Sequence, residues 1–127
     1  MEKPSKCITV KEAQLQQEQW INTRGEEIER SKKYKDVRDF WYSLEELQEY
    51  LDYVREKSKE QGVEKPGIRF YLGAYPESQN KGYATIFLAP TKEKDSSTDS
   101  QEVEKDPNNY DIEPLNTIGT GWPPYNY

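Results

Sequence analysis

Between Tyr42 and Gly62 the chain specifies where one helix starts, where it stops and which side of it must be buried. Ser43 and Glu46 have the spacing of a capping box, in which two side chains satisfy backbone N–H groups that a helix start leaves orphaned. Tyr42 and Leu47 are placed to close a hydrophobic staple over that cap, and Gly62 follows Gln61 where a left-handed residue ends a helix. The predicted helix runs from Leu44 to Gln61 and is about 27 Å long. Leu44, Leu47, Tyr50, Leu51, Val54 and Ser58 recur at spacings of three and four, so one face of it needs something to pack on.

The opposite face carries Glu45, Glu49, Asp52, Glu56 and Glu60. Like-charged neighbours one turn apart cost about 0.2–0.5 kcal/mol each, roughly what Asp52/Arg55 and Glu56/Lys59 return. Helix stability therefore does not account for the stripe. It reads either as an ordinary solvated face or as a docking surface for a basic partner.

The flanking segments give this helix its neighbours. Thr9 and Glu12 form a second box, followed by Val10, Ala13, Gln17, Trp20, Ile21, Arg24 and Ile28 at helical spacing, which predicts a helix from about residue 10. Gly25 marks its end or a break, and Arg24 reads as a snorkelling stem or an anion-binding group. After a polar connector, Val37 to Tyr42 is expected as a short strand, with an irregular aromatic clamp as the alternative. Ile68 to Ala74 alternates strictly, and Tyr83 to Ala89 returns after a Pro76 to Gly82 hairpin loop. The aliphatic sides, Ile68, Phe70, Leu72, Ala74, Ala84, Ile86 and Leu88, are expected to face the helix. That leaves a second sheet face bearing Arg69, Tyr71, Tyr75, Tyr83 and Phe87, too aromatic to be wholly bare without a reason.

Only 32% of the 127 residues are hydrophobic, so part of the chain is expected outside any core. Residues 92–109 hold six acids and three bases with almost nothing apolar, the composition of a mobile acidic loop. Residues 110–127 interleave Ile112, Leu115, Ile118, Trp122, Tyr125 and Tyr127 with Pro, Asn and Gly, which suits an extended arm lying along an edge or over the second face. The expected whole is a single α+β domain over residues 1–127: an N-terminal helix plus a strand-helix-hairpin unit forming a small sheet, folded over 8–91, with that loop and arm appended.

Several chemistries drop out. A formal charge of −6 opposes general nucleic-acid binding, which depends on Lys and Arg against phosphates. With no histidine, Ser-His-Asp and Cys-His sites and imidazole-ligated zinc are excluded within the chain. Cys7 is a lone thiol near the terminus. The run Asp95 to Asp99 with Asp106 lacks the central glycine and final glutamate of a calcium loop, and Gly119-Thr-Gly121 has neither a following helix nor a P-loop lysine. Pro123-Pro-Tyr125 has its tyrosine one place short of a proline-recognition ligand. No cofactor and no metal site is expected.

What survives is an aromatic and arginine constellation of Arg38, Trp41, Arg69, Tyr71, Tyr75, Tyr83 and Trp122, with Arg24 beside it. Structural packing is one reading, and a protein interface or small-ligand cleft, where such residues are enriched, is the other. Three functions follow in order: a non-catalytic interaction module for a protein partner or a second copy of the chain, a sensor or enzyme with an aromatic/arginine cleft, and an acidic inhibitor imitating nucleic acid. The terminus lacks the apolar run of a secretion signal and no stretch is long enough to span a bilayer, so a cytoplasmic, membrane-free protein is expected.

The stretches Arg38-Asp-Phe-Trp-Tyr-Ser-Leu-Glu-Glu-Leu47 and Gly67-Ile-Arg-Phe-Tyr-Leu-Gly-Ala-Tyr-Pro76, with Pro114-Leu-Asn116 and Gly121-Trp-Pro-Pro124, resemble small bacterial proteins of the Bacteroidota. The resemblance covers the chain from about residue 8. It implies the same segmentation and carries no activity and no catalytic residues.

Overall fold

The computed structural model describes residues 1–78, 82–94, 105–116 and 126–127. The chain divides into two compact units, Met1–Asp39 with Gly121–Tyr127, and Phe40–Thr120.

In the first unit the Thr9/Glu12 box forms in full: Glu12 N–H donates to the Thr9 hydroxyl at 3.1 Å, and Thr9 N–H donates to the Glu12 carboxylate at 2.8 Å. Helix α1, Val10–Trp20, starts there. The helix does not end at Gly25. It widens into a π turn over Ile21–Gly25 and continues as α2, Glu26–Lys32, ending at Lys33 in the left-handed region with φ 67. Two contacts explain the widening. The Trp20 ring lies against Gly25, where a Cβ would come within 3.1 Å of it, and the Thr23 hydroxyl donates to the Gln19 carbonyl at 2.6 Å, drawing on an acceptor of the helical ladder. No residue of α1, the π turn or α2 is fully buried.

Val37 to Tyr42 does not form the expected strand. The Val37 N–H, which a sheet neighbour would need, donates to the Asp36 carboxylate at 2.8 Å. The open side of the hairpin's second strand is taken instead by the returning C-terminal segment.

The second unit is built on α3, Leu44–Glu60, within one residue of the expected span. The Ser43 hydroxyl accepts from Glu46 N–H at 3.0 Å and donates to the Glu46 carboxylate at 3.2 Å, so the cap closes through side chains rather than through the Ser43 backbone. Gly62 takes φ 77 just past the end. Strands β1, Gly67–Ala74, and β2, Ala84–Thr91, form the antiparallel hairpin, with Phe70 opposite Leu88 and Tyr71 opposite Phe87. Beyond β2 the chain returns along it: Asn108 bridges to Thr91 and Asn109 N–H donates to the Pro90 carbonyl, residues 110–114 bulge from the ladder, and β3, Leu115–Asn116, pairs with Phe87 and Leu88. The sheet order is β1-β2-β3, and the class is α+β.

The core lies between α3 and the β2–β3 side. Tyr50, Val54, Leu88 and Ile112 are buried, with Tyr42, Leu47, Ile68, Ile86 and Leu115 around them. Tyr50 ties the layers together, its hydroxyl donating to the Glu113 carbonyl at 2.8 Å with the Leu88 carbonyl at 3.3 Å. The loop after α3 is pinned to the strand end by Glu93, whose two carboxylate oxygens accept from the N–H groups of Glu64 and Lys65 at 3.0 and 3.1 Å. The ends of the acidic loop are ordered too, Lys92 N–H reaching the Pro107 carbonyl and Lys94 N–H the Asp106 carboxylate. Its centre, 95–104, lies outside the described residues.

Candidate functional site

The aliphatic face meets the helix at Ile68, Ile86 and Leu88, as expected, but not along its whole width. Helix α3 is seated over Leu88 and Ile112 and meets β1 at Ile68, leaving the middle of that strand uncovered. Phe70 and Leu72, on the helix side of β1, are 65% and 86% exposed, a correction to the expectation that they would be covered. On the other face Tyr83, Thr85 and Ala89 are buried. The bare apolar surface is thus the outer edge of the sheet, not its aromatic side.

Strand β1 ends the sheet, so among the described residues the hydrogen-bonding groups on its outer side have no strand partner. At the start of α3, Trp41 is 73% and Leu44 85% exposed. Leu44 shares an open groove with Glu45, Gln48, Glu49, Asp52, Tyr53 and Glu56, which places an apolar residue beside most of the acidic stripe. All five stripe acids, Glu60 included, are exposed.

The arginine and tyrosine constellation is split up. The Arg69 guanidinium donates to the Asn108 side-chain carbonyl at 2.6 Å and to the Asp106 backbone carbonyl at 2.8 Å. The Asn108 amide donates to the Tyr71 hydroxyl at 2.8 Å. Asn108, Arg69 and Lys105 around that phenol lower its pKa. Tyr71 stacks on Phe87, with ring centroids 5.0 Å apart and planes 14° from parallel. Tyr75 belongs to a separate network, donating to the Asn116 side-chain oxygen at 3.0 Å, while the Asn116 amide donates to Thr85 Oγ1 and the Ile86 carbonyl. Arg38 lies in the other unit and donates to the Asn126 side chain at 2.7 Å. Arg24 is exposed, and Trp122 lies outside the described residues.

A cavity of about 330 Å³ opens on the second face, between the Tyr71/Phe87 stack with Ala89 and the bulged segment carrying Asn108, Ile112 and Pro114. Neither Trp41 nor Arg69 lines it, so the cleft expected between Trp41, Arg69 and Tyr71 is not assembled. Sequence reasoning missed Phe87, Asn108 and Asn116 as site residues. The signal for Asn108 was Pro107-Asn-Asn-Tyr-Asp-Ile112, turn-forming residues leading to an apolar anchor rather than a solvated run. Indeed Asp111 N–H donates to the Asn109 side chain in a local turn, and Ile112 enters the core.

Among the described residues no group of three or more His, Cys, Asp or Glu side chains is placed to hold a metal, and no helix is long and apolar enough to cross a membrane. Cys7 is exposed. The chain matches no family model, and comparison with curated proteins and with solved structures found no match.

Proposed function

We propose that the protein is a non-catalytic, cytoplasmic interaction module that takes an extended segment of a protein partner as an added strand on β1. The observation that carries this reading is the exposure of Phe70 and Leu72 on a strand with no neighbour on its outer side among the described residues. Open edges invite pairing, and proteins that do not use them guard them with lysine, proline or bulges. The edge here, Gly67-Ile-Arg-Phe-Tyr-Leu-Gly-Ala74, has Arg69 as its one charge, and that guanidinium is turned to Asn108 and Asp106. In such complexes backbone hydrogen bonds give affinity and alternate side chains give specificity.

Charge complementarity selects the partner. The formal net charge of −6 favours a segment that alternates apolar residues with lysine or arginine. Direct binding of nucleic acid fits poorly with the net charge of −6, and five acids along one helix make a short array for imitating a duplex.

The test is amide chemical-shift mapping with a short alternating Lys/Val peptide. Shifts centred on β1 and reduced by Leu72→Lys or by Glu49→Lys/Glu56→Lys support the reading. Shifts absent from β1, or unchanged in both variants, refute it. Concentration-dependent β1 shifts without peptide would make a second copy the occupant instead.

A further inference from the structure

We propose that the cavity on the second sheet face binds a small aromatic carboxylate, its ring against Tyr71 and Phe87 and its oxygens held by the Tyr71 hydroxyl and the Asn108 side-chain amide. This site is separate from the β1 edge and stands whether or not that edge takes a partner.

Its size, about 330 Å³, is that of a pocket for a small molecule. The floor is two stacked aromatic rings, and Ala89, Pro90, Ile112 and Pro114 add apolar lining beside Asn109 and Tyr110, so a flat hydrophobic body is accommodated. The polar groups decide what that body carries. Arg69 takes the Asn108 carbonyl oxygen, which fixes the amide so that its NH2 group turns toward Tyr71. One of its two N–H bonds goes to the Tyr71 oxygen and the other meets no acceptor among the described residues. With its oxygen accepting from Asn108, Tyr71 keeps its own proton to donate, and no described residue receives it. At the Tyr71 end of the cavity the polar groups on offer are therefore donors.

The charge agrees. Both partners of the Arg69 guanidinium are uncharged oxygens, so no carboxylate neutralises it among the described residues, and Lys105 adds to the positive field at Tyr71. In an acidic chain, this face pairs an aromatic floor with donors and with a guanidinium that meets no carboxylate among the described residues, and an anionic oxygen group on a ring satisfies all three. Arg69 is a positioning residue here: it orients the amide and supplies field without lining the cavity.

The experiment compares benzoate, benzamide and benzylamine, three ligands of one shape and different charge, by saturation-transfer NMR and amide-shift titration of the full chain. Benzoate is expected to bind at least about tenfold tighter than benzylamine, with shifts at Tyr71, Phe87 and residues 108–114. Tyr71→Phe keeps the stack and is expected to weaken benzoate about tenfold, as loss of a hydrogen bond to a charged group does, while changing benzamide less. Arg69→Met is expected to shrink the benzoate-to-benzamide ratio, which a merely structural role would not do. No benzoate binding, equal affinity for all three ligands, or shifts confined elsewhere overturns the proposal. The wild-type comparison decides this even if a variant fails to fold.

Discussion

Helices α1 and α3 begin with the same device and end in different situations. Each is opened by a hydroxyl that accepts the N–H three residues on, followed by a glutamate, yet α1 and its continuation α2 bury no residue while α3 buries Tyr50, Val54 and Ser58. A cap fixes where a helix starts and says nothing about what it packs on. Tertiary burial supplies most helical stability in proteins, so the two units should respond to perturbation differently.

The largest contrast is expected from truncating apolar side chains. Leu88→Ala removes a side chain with no exposed surface and should cost about 2–5 kcal/mol in urea denaturation, whereas Leu15→Ala, on an exposed position of α1, should stay within about 0.5 kcal/mol. Equal effects would break the comparison. Next comes Tyr50→Phe, which leaves the Glu113 carbonyl without its donor and should cost about 1–3 kcal/mol by the same measurement.

Replacing the caps sharpens the contrast. Thr9→Ala and Ser43→Ala each remove about 1 kcal/mol of local stabilisation. Ser43→Ala should lower the melting temperature of the α3–sheet unit. Thr9→Ala should speed amide exchange in α1 and leave that transition unmoved.

The smallest effects are those of pH. Burial, with Tyr53 nearby, pushes the Tyr50 phenol up to about 12, and burial raises Tyr42 as well. A raised folded pKa stabilises below the ordinary tyrosine value and is lost as pH climbs through the folded one, so this support should fade from about pH 10 toward 12. Tyr71 is lowered and works the other way, adding stability once the unfolded phenol would ionise. A spectrophotometric titration should find Tyr71 ionising early and Tyr50 late, and Tyr71→Phe should remove the early step. In acid, Glu93 is held low by the Glu64 and Lys65 amides, so its contribution is present above the ordinary carboxylate range and lost as pH falls through its folded value. Glu93→Gln should flatten that acid limb.

Local signals in the sequence carried α3, both hairpin strands and the Thr9 box, because caps, period and turn glycine act over a few residues. What they could not carry was competition between distant segments. Ile112 and Asn108 lay in stretches read as arm and loop, and their placement depends on pairing with β2, which no local pattern encodes. That return displaced Val37 to Tyr42 from the sheet and drew α3 toward Ile112, which in turn left Phe70 and Leu72 bare. For the same reason Arg69 and Tyr71 were legible as candidates, with Phe87 on their face of the sheet, but their hydrogen-bonding companion Asn108 was not.

The π turn at Ile21–Gly25 has a consequence for the phase of everything after it. An α-helix turns about 100° per residue, so a wide turn that absorbs one extra residue sets the azimuth of α2 relative to α1. Deleting a single residue there would restore an unbroken α-helix and leave Ile28 near its present azimuth, whereas straightening the turn into α-helix with every residue kept would rotate Ile28 by about 100° around the axis. The segment works as a frame-setting insertion: its length, more than its composition, decides which side of α2 faces the rest of its unit.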